Sequence, residues 1–274
     1  MMIILFDLIS IVFFWTQLSL LLAPFVYLMT NKSLNINLVE FLILIPVSLF
    51  LGMFLVLTAL AIFTRIIGKI EEGKHEFPMS KNAIKWSLLF AIKKFTTFGA
   101  ISQLIYSFNF FRVFYMWASG AKCSVNIMHA NKHSLQDLCF VRIGEGSMIG
   151  LGAMIAPHLI VGNKLILKNI ILGKKVQLHY NAIVTSGVEI GDNSVIGPMS
   201  GVSINSKIGK NVRLRYNCHI SSHVTIEDDC DIGDNCIIQK GSTISKGITL
   251  PYSTLIPEKT IVTQDNLSNF VKQS

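Results

Sequence analysis

Charge is scarce in this chain. Only 15% of its 274 residues are charged, while 51% are hydrophobic. That is a high apolar share for a soluble protein, and the surplus sits in two segments, Ile3 to Thr30 and Leu38 to Ile67. The first lacks the basic start and small-residue cleavage site of a secretory signal, and a second apolar segment follows at once. Cysteines number five and have no paired short spacings, which excludes the usual zinc frameworks. A calcium loop counted from Asp228 has Gly233 in sixth place. It fails because Cys230 and Ile232 stand at ligand positions and Gln239 replaces the bidentate glutamate. No nucleic-acid-binding motif is present, so the net charge of +8 does not point to DNA or RNA.

What is present begins with length. At 1.5 Å per residue each apolar segment covers a bilayer core of about 30 Å, so the two form a transmembrane hairpin. The connection carries one lysine, Lys32, whereas Arg65, Lys69, Lys74, Lys81 and Lys85 follow the second segment. Positive charge stays on the cytoplasmic side, which puts both termini and everything after residue 68 there. Basic and aromatic residues interleave from Arg65 to Lys122, a pattern suited to amphipathic helices lying on anionic headgroups. Asp7 and Glu40 are near enough to the segment ends to reach water, and Gln17 is left as a hint of helix pairing.

From Leu172 the chain divides every six residues without a break: LGKKVQ, LHYNAI, VTSGVE, IGDNSV and onward to IPEKTI. Position one is always Ile, Leu or Val, position two is often Gly, and position five is Val, Ala, Ser, Cys, Ile or Thr. A short fixed period of this kind marks a β-solenoid, each unit being one flat side of a coil. With three units per turn, about five turns lie between Leu172 and Ile261. Cys218, Cys230 and Cys236 all occupy position five, where neighbouring units have Val212, Val224 and Ser242, so they are core residues rather than ligands. Units IGEGSM and IGLGAM precede the array, followed by the divergent IAPHLI. Between Ile155 and Leu172 the frame slips by one residue, which signals a bulge or an extruded loop. Functional residues concentrate at such interruptions.

The repeat [LIV]-G-x-x-[small]-x resembles that of the hexapeptide-repeat acyltransferases. The resemblance implies a left-handed parallel β-helix, a homotrimer, and acetyl-CoA or another acyl-CoA as co-substrate in a cleft between subunits, with no metal. A closer similarity covers residues 65 to 203. EGKHEFPMSKNAIKW, GAKCSVNI, LQDLCFVRIGEGSMIG and VEIGDNSVIGPMSGV look like the membrane-anchored β-helix module that ends poly-lysine-synthetase-type peptide synthetases. Gly120, Ala121 and Lys122, then Asp137 and Leu138, then His158 take that module's places. The chain departs from it in carrying no synthetase modules and one helical hairpin.

Acyl transfer needs a base for the nucleophile and a donor for the oxyanion, and histidine is the usual base near neutral pH. Of seven histidines, His75 lies in the linker, and His129 and His133 lie in the irregular loop MHANKHSLQD. His179, His219 and His223 occupy outward positions of regular hexads, where a surface or trimer-contact role also accounts for them. His158 stands directly before the frame slip and matches the family's histidine, which makes it the expected base. Asp137 is the residue to orient its imidazole or to bind the acceptor, and His133 and His179 are further catalytic candidates. By resemblance Gly197 and Ser200 line the CoA cleft, and Lys240 or Lys246 meets a phosphate. A rival zinc reading, after the γ-type carbonic anhydrases, is opposed by the spacing. Three residues separate His219 from His223 and His129 from His133, where that family has four.

These expectations assemble into a transmembrane hairpin (1–72), an amphipathic helical linker (73–119), a β-helix domain (120–263) and a tail (264–274). The chain is then an acyltransferase of the bacterial inner membrane, its β-helix facing the cytoplasm. Its acceptor is a hydroxyl or amine of a membrane-associated molecule such as a glycan precursor. The contrasting expectation is a trimeric membrane scaffold without catalysis.

Overall fold

The computed structural model of the chain describes residues 2–31, 37–129 and 135–270. The connection around Lys32 and the loop holding His133 lie outside the described residues. The chain divides into two compact units, Met1–Ile70 with Met79–Gly120, and Glu71–Pro78 with Ala121–Ser274.

In the first unit the two apolar segments are helices, α1 (Met2–Thr30) and α2 (Leu38–Ile67). The α2 start is set by a capping box. Glu40 N–H donates to Asn37 Oδ1 at 2.9 Å and Asn37 N–H donates to Glu40 Oε2 at 3.0 Å, satisfying two otherwise orphaned donors. Glu40 is thus a capping residue. Gly52 has no side chain because a Cβ there would sit 2.1 Å from the Leu21 carbonyl oxygen, so the helices touch backbone to backbone. Three further helices follow, α3 (Lys81–Lys93), α4 (Gly99–Ser107) and α5 (Asn109–Ala118).

The linker helices do not form a domain of their own. Phe95 meets Phe14 at a ring-centroid distance of 5.2 Å, Phe111 meets Phe50 at 4.6 Å, and Phe114 meets Phe54 at 5.4 Å. Gln17, the residue that hinted at helix pairing, ties α1 to α3. It is buried, and its Nε2 donates at 3.0 Å to the Ile92 carbonyl, one of the last-turn acceptors of α3 that lack an intrahelical donor.

The second unit is a parallel β-solenoid, the class expected from the hexads. Strands of two to four residues stack into sheets of seven, six and eight strands, one for each side of the coil. Residues eighteen apart pair, as in Leu178↔Ile196, Ile196↔Leu214, Leu214↔Ile232 and Ile232↔Leu250. These position-one residues are fully buried and form the core column. Each such burial contributes about 1.5–3 kcal/mol.

Position four carries a signature that the hexad reading overlooked. Asn181, Asn193, Asn205, Asn211, Asn217 and Asn235 all have φ between 52° and 60°. Asparagine tolerates this left-handed conformation, and its amide bonds the next coil, as Asn193→Asn211 and Asn217→Asn235 do. Position five fills the corners. Ser194 Oγ donates to the Gly209 carbonyl at 2.7 Å and accepts from Val212 N–H at 3.0 Å. The cysteines stand in the same relation to the coil above. Cys218, Cys230 and Cys236 place Sγ at 3.1, 3.1 and 3.0 Å from the carbonyls of Gly233, Ser245 and Pro251. All three thiols are buried, and burial pushes the Cys218 pKa up to about 11. They are core residues.

The frame slip is an extruded hairpin. Pairs in later coils are eighteen residues apart, as Gln177↔Val195, but twenty-nine apart across the slip, as Met154↔Ile183. Eleven residues therefore leave the solenoid, one short of two hexads. They form antiparallel strands His158–Val161 and Lys164–Leu167. A third strand, Gly73–Glu76, pairs antiparallel with Lys164–Leu167. Segment 71–78 therefore groups with the solenoid, where its backbone hydrogen bonds are made, and 79–120 groups with the long helices.

Candidate functional site

Asp137 is carried by the segment that enters the first full coil. Leu135 bridges to Ile155, and Gln136 N–H donates to the Ile155 carbonyl at 3.0 Å, so this segment runs beside strand Met154–Ala156. Asp137 itself is left-handed, with φ 41°, and starts the short 3-10 turn Leu138–Phe140. Leu138 and Phe140 are buried and anchor that turn.

His158 comes from the neighbouring coil, just after strand Met154–Ala156, as the first residue of the hairpin. The preceding residue, Pro157, is fixed by Lys168 N–H, which donates to the Pro157 carbonyl at 3.2 Å. The result is a hydrogen-bonded pair, His158 Nδ1 with Asp137 Oδ2, twenty-one residues apart in sequence. Both side chains are mostly shielded, 26% and 13% exposed, and both retain some access to solvent.

Electrostatics follow from that geometry. The hydrogen bond to Asp137 is the main cause raising the His158 pKa above the ordinary histidine value. Partial burial opposes it, and the carboxylate charge adds to it. With Nδ1–H given to Asp137, the neutral imidazole has its lone pair on Nε2. This is the tautomer a general base requires.

Among the described residues, the other histidine candidates are placed elsewhere on the coils. His179 is half-buried and lies 3.2 Å from Gln177 Oε1 on its own coil. His219 is exposed, and His223 is a left-handed corner residue bonded to Asn205 Nδ2 at 3.1 Å. His133 lies outside the described residues. Among the described residues no group of three or more His, Cys, Asp or Glu side chains could hold a metal ion.

Within the protomer, the two residues expected at the CoA cleft make coil-to-coil contacts. Ser200 is a fully buried corner residue whose hydroxyl donates to the Arg215 carbonyl at 2.7 Å and accepts from Cys218 N–H at 2.9 Å. Gly197 is buried against the next coil, where a Cβ would lie 2.2 Å from the Arg215 carbonyl oxygen. Both hold coils together. Lys240 is an exposed surface residue.

Lys246 sits differently. It borders an open groove of about 490 Å3 along the eight-stranded face, with Lys207, Lys210, Glu227 and Asp228. Gly173, Gly191 and Gly209 also line it. Lys246 Nζ lies 3.5 Å from Asp229 Oδ2. Lys207 and Lys210 were missed in the sequence. Their signal was the three position-two glycines eighteen residues apart, which remove side chains from one strip of the face and leave flanking lysines over it.

No protein-family model and no curated protein matches the chain. Solved structures similar to it include the perosamine N-acetyltransferase of Caulobacter crescentus, as a point mutant in complex with CoA and GDP-perosamine. That similarity is 22% identity over 32% of this chain and 42% of that one, with TM-score 0.32. A hexapeptide transferase family protein from Anaplasma phagocytophilum shares 13% identity over 54% of this chain and 83% of that one, TM-score 0.28. The UDP-N-acetylglucosamine O-acyltransferase of Moraxella catarrhalis shares 13% over 50% and 65%, TM-score 0.20. The chain spans under half the length of the first of these. Its chemistry therefore rests on its own residues.

Proposed function

We propose that the chain is a membrane-anchored hexapeptide-repeat acyltransferase, with His158 as general base and Asp137 as the residue that orients it. The observation that carries this reading is the His158–Asp137 pair, made where the regular coils are interrupted. The acceptor hydroxyl or amine gives its proton to His158 Nε2 while its oxygen or nitrogen attacks the thioester carbonyl of an acyl-CoA. The tetrahedral centre then collapses, the carbon–sulfur bond breaks, and the CoA thiolate takes a proton as it leaves. The groove bordered by Lys207, Lys210 and Lys246 suits the phosphates of the nucleotide part.

Anchoring is supported by the long helices. The 23-residue segment Leu8–Thr30 and the 30-residue segment Leu38–Ile67 are apolar enough to cross a bilayer, and only 17% and 28% of their most apolar windows are buried. Apolar side chains such as Ile11, Val12, Trp15, Val47 and Phe50 point outward. A tethered domain meets membrane-bound acceptors at raised effective concentration. The charge bias around Arg65 to Lys85 supports a cytoplasmic solenoid, on the side where acyl-CoA is found. A homotrimer is supported by the six-stranded face, whose outward positions include Ile183, Gly201, His219, Ile237 and Leu255. The relation to the peptide-synthetase module belongs to this proposal and rests on the segments quoted from residues 65 to 203.

Thermal unfolding of the purified protein with acetyl-CoA tests the reading. At a hundredfold excess over Kd, binding adds about 2.7 kcal/mol of stability. The protection should weaken when Lys207 and Lys246 are both replaced by alanine. Absence of any protection by acetyl-CoA, longer acyl-CoA or CoA favours a scaffold without catalysis.

A further inference from the structure

The hairpin that begins with His158 is not self-sufficient. Two-stranded hairpins are marginally stable in water, and three strands or a buried face are needed for order. Here the middle strand supplies the burial: Leu165 and Leu167 are fully buried, while Leu159, Ile160 and Val161 on the strand of His158 are exposed. The strand of His158 is thus held mainly by its hydrogen bonds to the middle strand. The middle strand is itself completed by Gly73–Glu76, in a register that sets Gly73, Leu167 and His158 in one row.

That third strand is pinned at both ends. At the turn end, Phe77 N–H donates to the Asn163 carbonyl at 2.8 Å. At the base, the Glu72 carboxylate receives two donors from Asn169. The backbone N–H donates to Oε2 at 3.1 Å and the side-chain amide donates to Oε1. Asn169 lies between the hairpin and the returning coil strand Ile170–Leu172, so this clamp closes the base from which His158 also starts.

We infer that the strand Gly73–Glu76, clamped through Glu72, is the positioning element for His158, and that Glu72 is a positioning residue of the reaction proposed above. The segment that joins α2 to α3 thereby takes part in the site without touching substrate. Loss of the clamp frees the third strand, the hairpin loosens, and the imidazole spends less time against Asp137. Misplacement of about 1 Å costs on the order of a hundredfold in rate.

The test uses the full chain in detergent and the variants Glu72→Ala, Glu72→Gln and Asn169→Ala. Carbethoxylation of His158 by diethyl pyrocarbonate, followed by mass spectrometry against pH, reads the neutral imidazole directly. Asp137 raises the His158 pKa, so E72A and N169A should move the half-maximal pH down toward the ordinary histidine value. E72Q keeps an oxygen for the Asn169 N–H and should restore most of the difference, which also serves if E72A folds poorly. With acetyl-CoA as substrate, kcat should fall about 10- to 100-fold with the KM for acetyl-CoA unchanged. An unchanged midpoint in E72A and N169A overturns the inference. The modification assay needs no turnover, so it stands apart from failure of the acyltransferase reading, which would appear as full activity of His158→Ala.

Discussion

Gly197→Ala is a sharp test of how the coils are held. A Cβ at this position would lie 2.2 Å from the Arg215 carbonyl oxygen and 2.5 Å from its carbonyl carbon, against an ordinary contact of about 3.4 Å or more. Both atoms are backbone. They cannot rotate away, and Gly197 N–H is already bonded to the Leu214 carbonyl at 2.8 Å. The neighbouring coils would have to part by about 1 Å, stretching this bond and those of Ser200. Overpacking of well-filled sites costs about 1–3 kcal/mol, and a backbone obstacle puts this case at the upper end. Over a unit of this size 3 kcal/mol corresponds to a Tm lower by about 6–12 °C. Gly201→Ala is the matched control, four residues on, where a Cβ meets nothing closer than His219 Nδ1 at 4.0 Å. Thermal unfolding of the two variants side by side decides. Equal Tm values for both would refute the argument that Gly197 is required for coil contact.

Other outcomes follow from the same structure. Cys218 should resist iodoacetamide at pH 8 in the folded protein and react once unfolded. With its pKa at about 11, roughly one thiol in a thousand is ionised there; stoichiometric labelling of the folded protein would contradict a core role. Asp137→Asn removes the carboxylate that raises the His158 pKa, so the acid limb of the kcat/KM profile should move to lower pH while the maximum falls. The sign is fixed because activity needs the neutral imidazole, which is lost as pH drops through the raised pKa. A limb that stays in place, or moves up, speaks against the pair.

The solenoid was legible because its core residues repeat in the chain itself. Ile196, Leu214, Ile232 and Leu250 recur at one frame, and an unbroken frame has few folds open to it. The role of position four was less visible, since a run of asparagines reads as ordinary solvated surface until the left-handed corner is seen. His158 was legible by its place at the slip, and the one-residue shift followed from an eleven-residue extrusion. What sealed the site was not legible. Gly73 pairs with Leu167 across ninety-four residues, and a four-residue strand of Gly, Lys, His and Glu has no apolar alternation to announce it. The packing of the linker helices was not legible for a similar reason. Interleaved aromatic and basic residues suit a membrane surface, and nothing in them announces that Phe95, Phe111 and Phe114 meet Phe14, Phe50 and Phe54. Ser200 and Gly197 were placed at a cleft by resemblance alone, and their coil-to-coil contacts were not legible in the hexads.

The most direct measurement is transfer of radiolabelled acetyl from acetyl-CoA into the glycolipid fraction of membranes carrying the wild-type protein, His158→Ala or His179→Ala. A positioned base contributes about 10²–10⁴-fold, so His158→Ala should lose turnover by that factor while keeping its fold and its thermal protection by acetyl-CoA. His179→Ala, away from the Asp137 pair, should lose little. Full turnover in His158→Ala would contradict the assignment of the base, and with it the site built around the Asp137 pair.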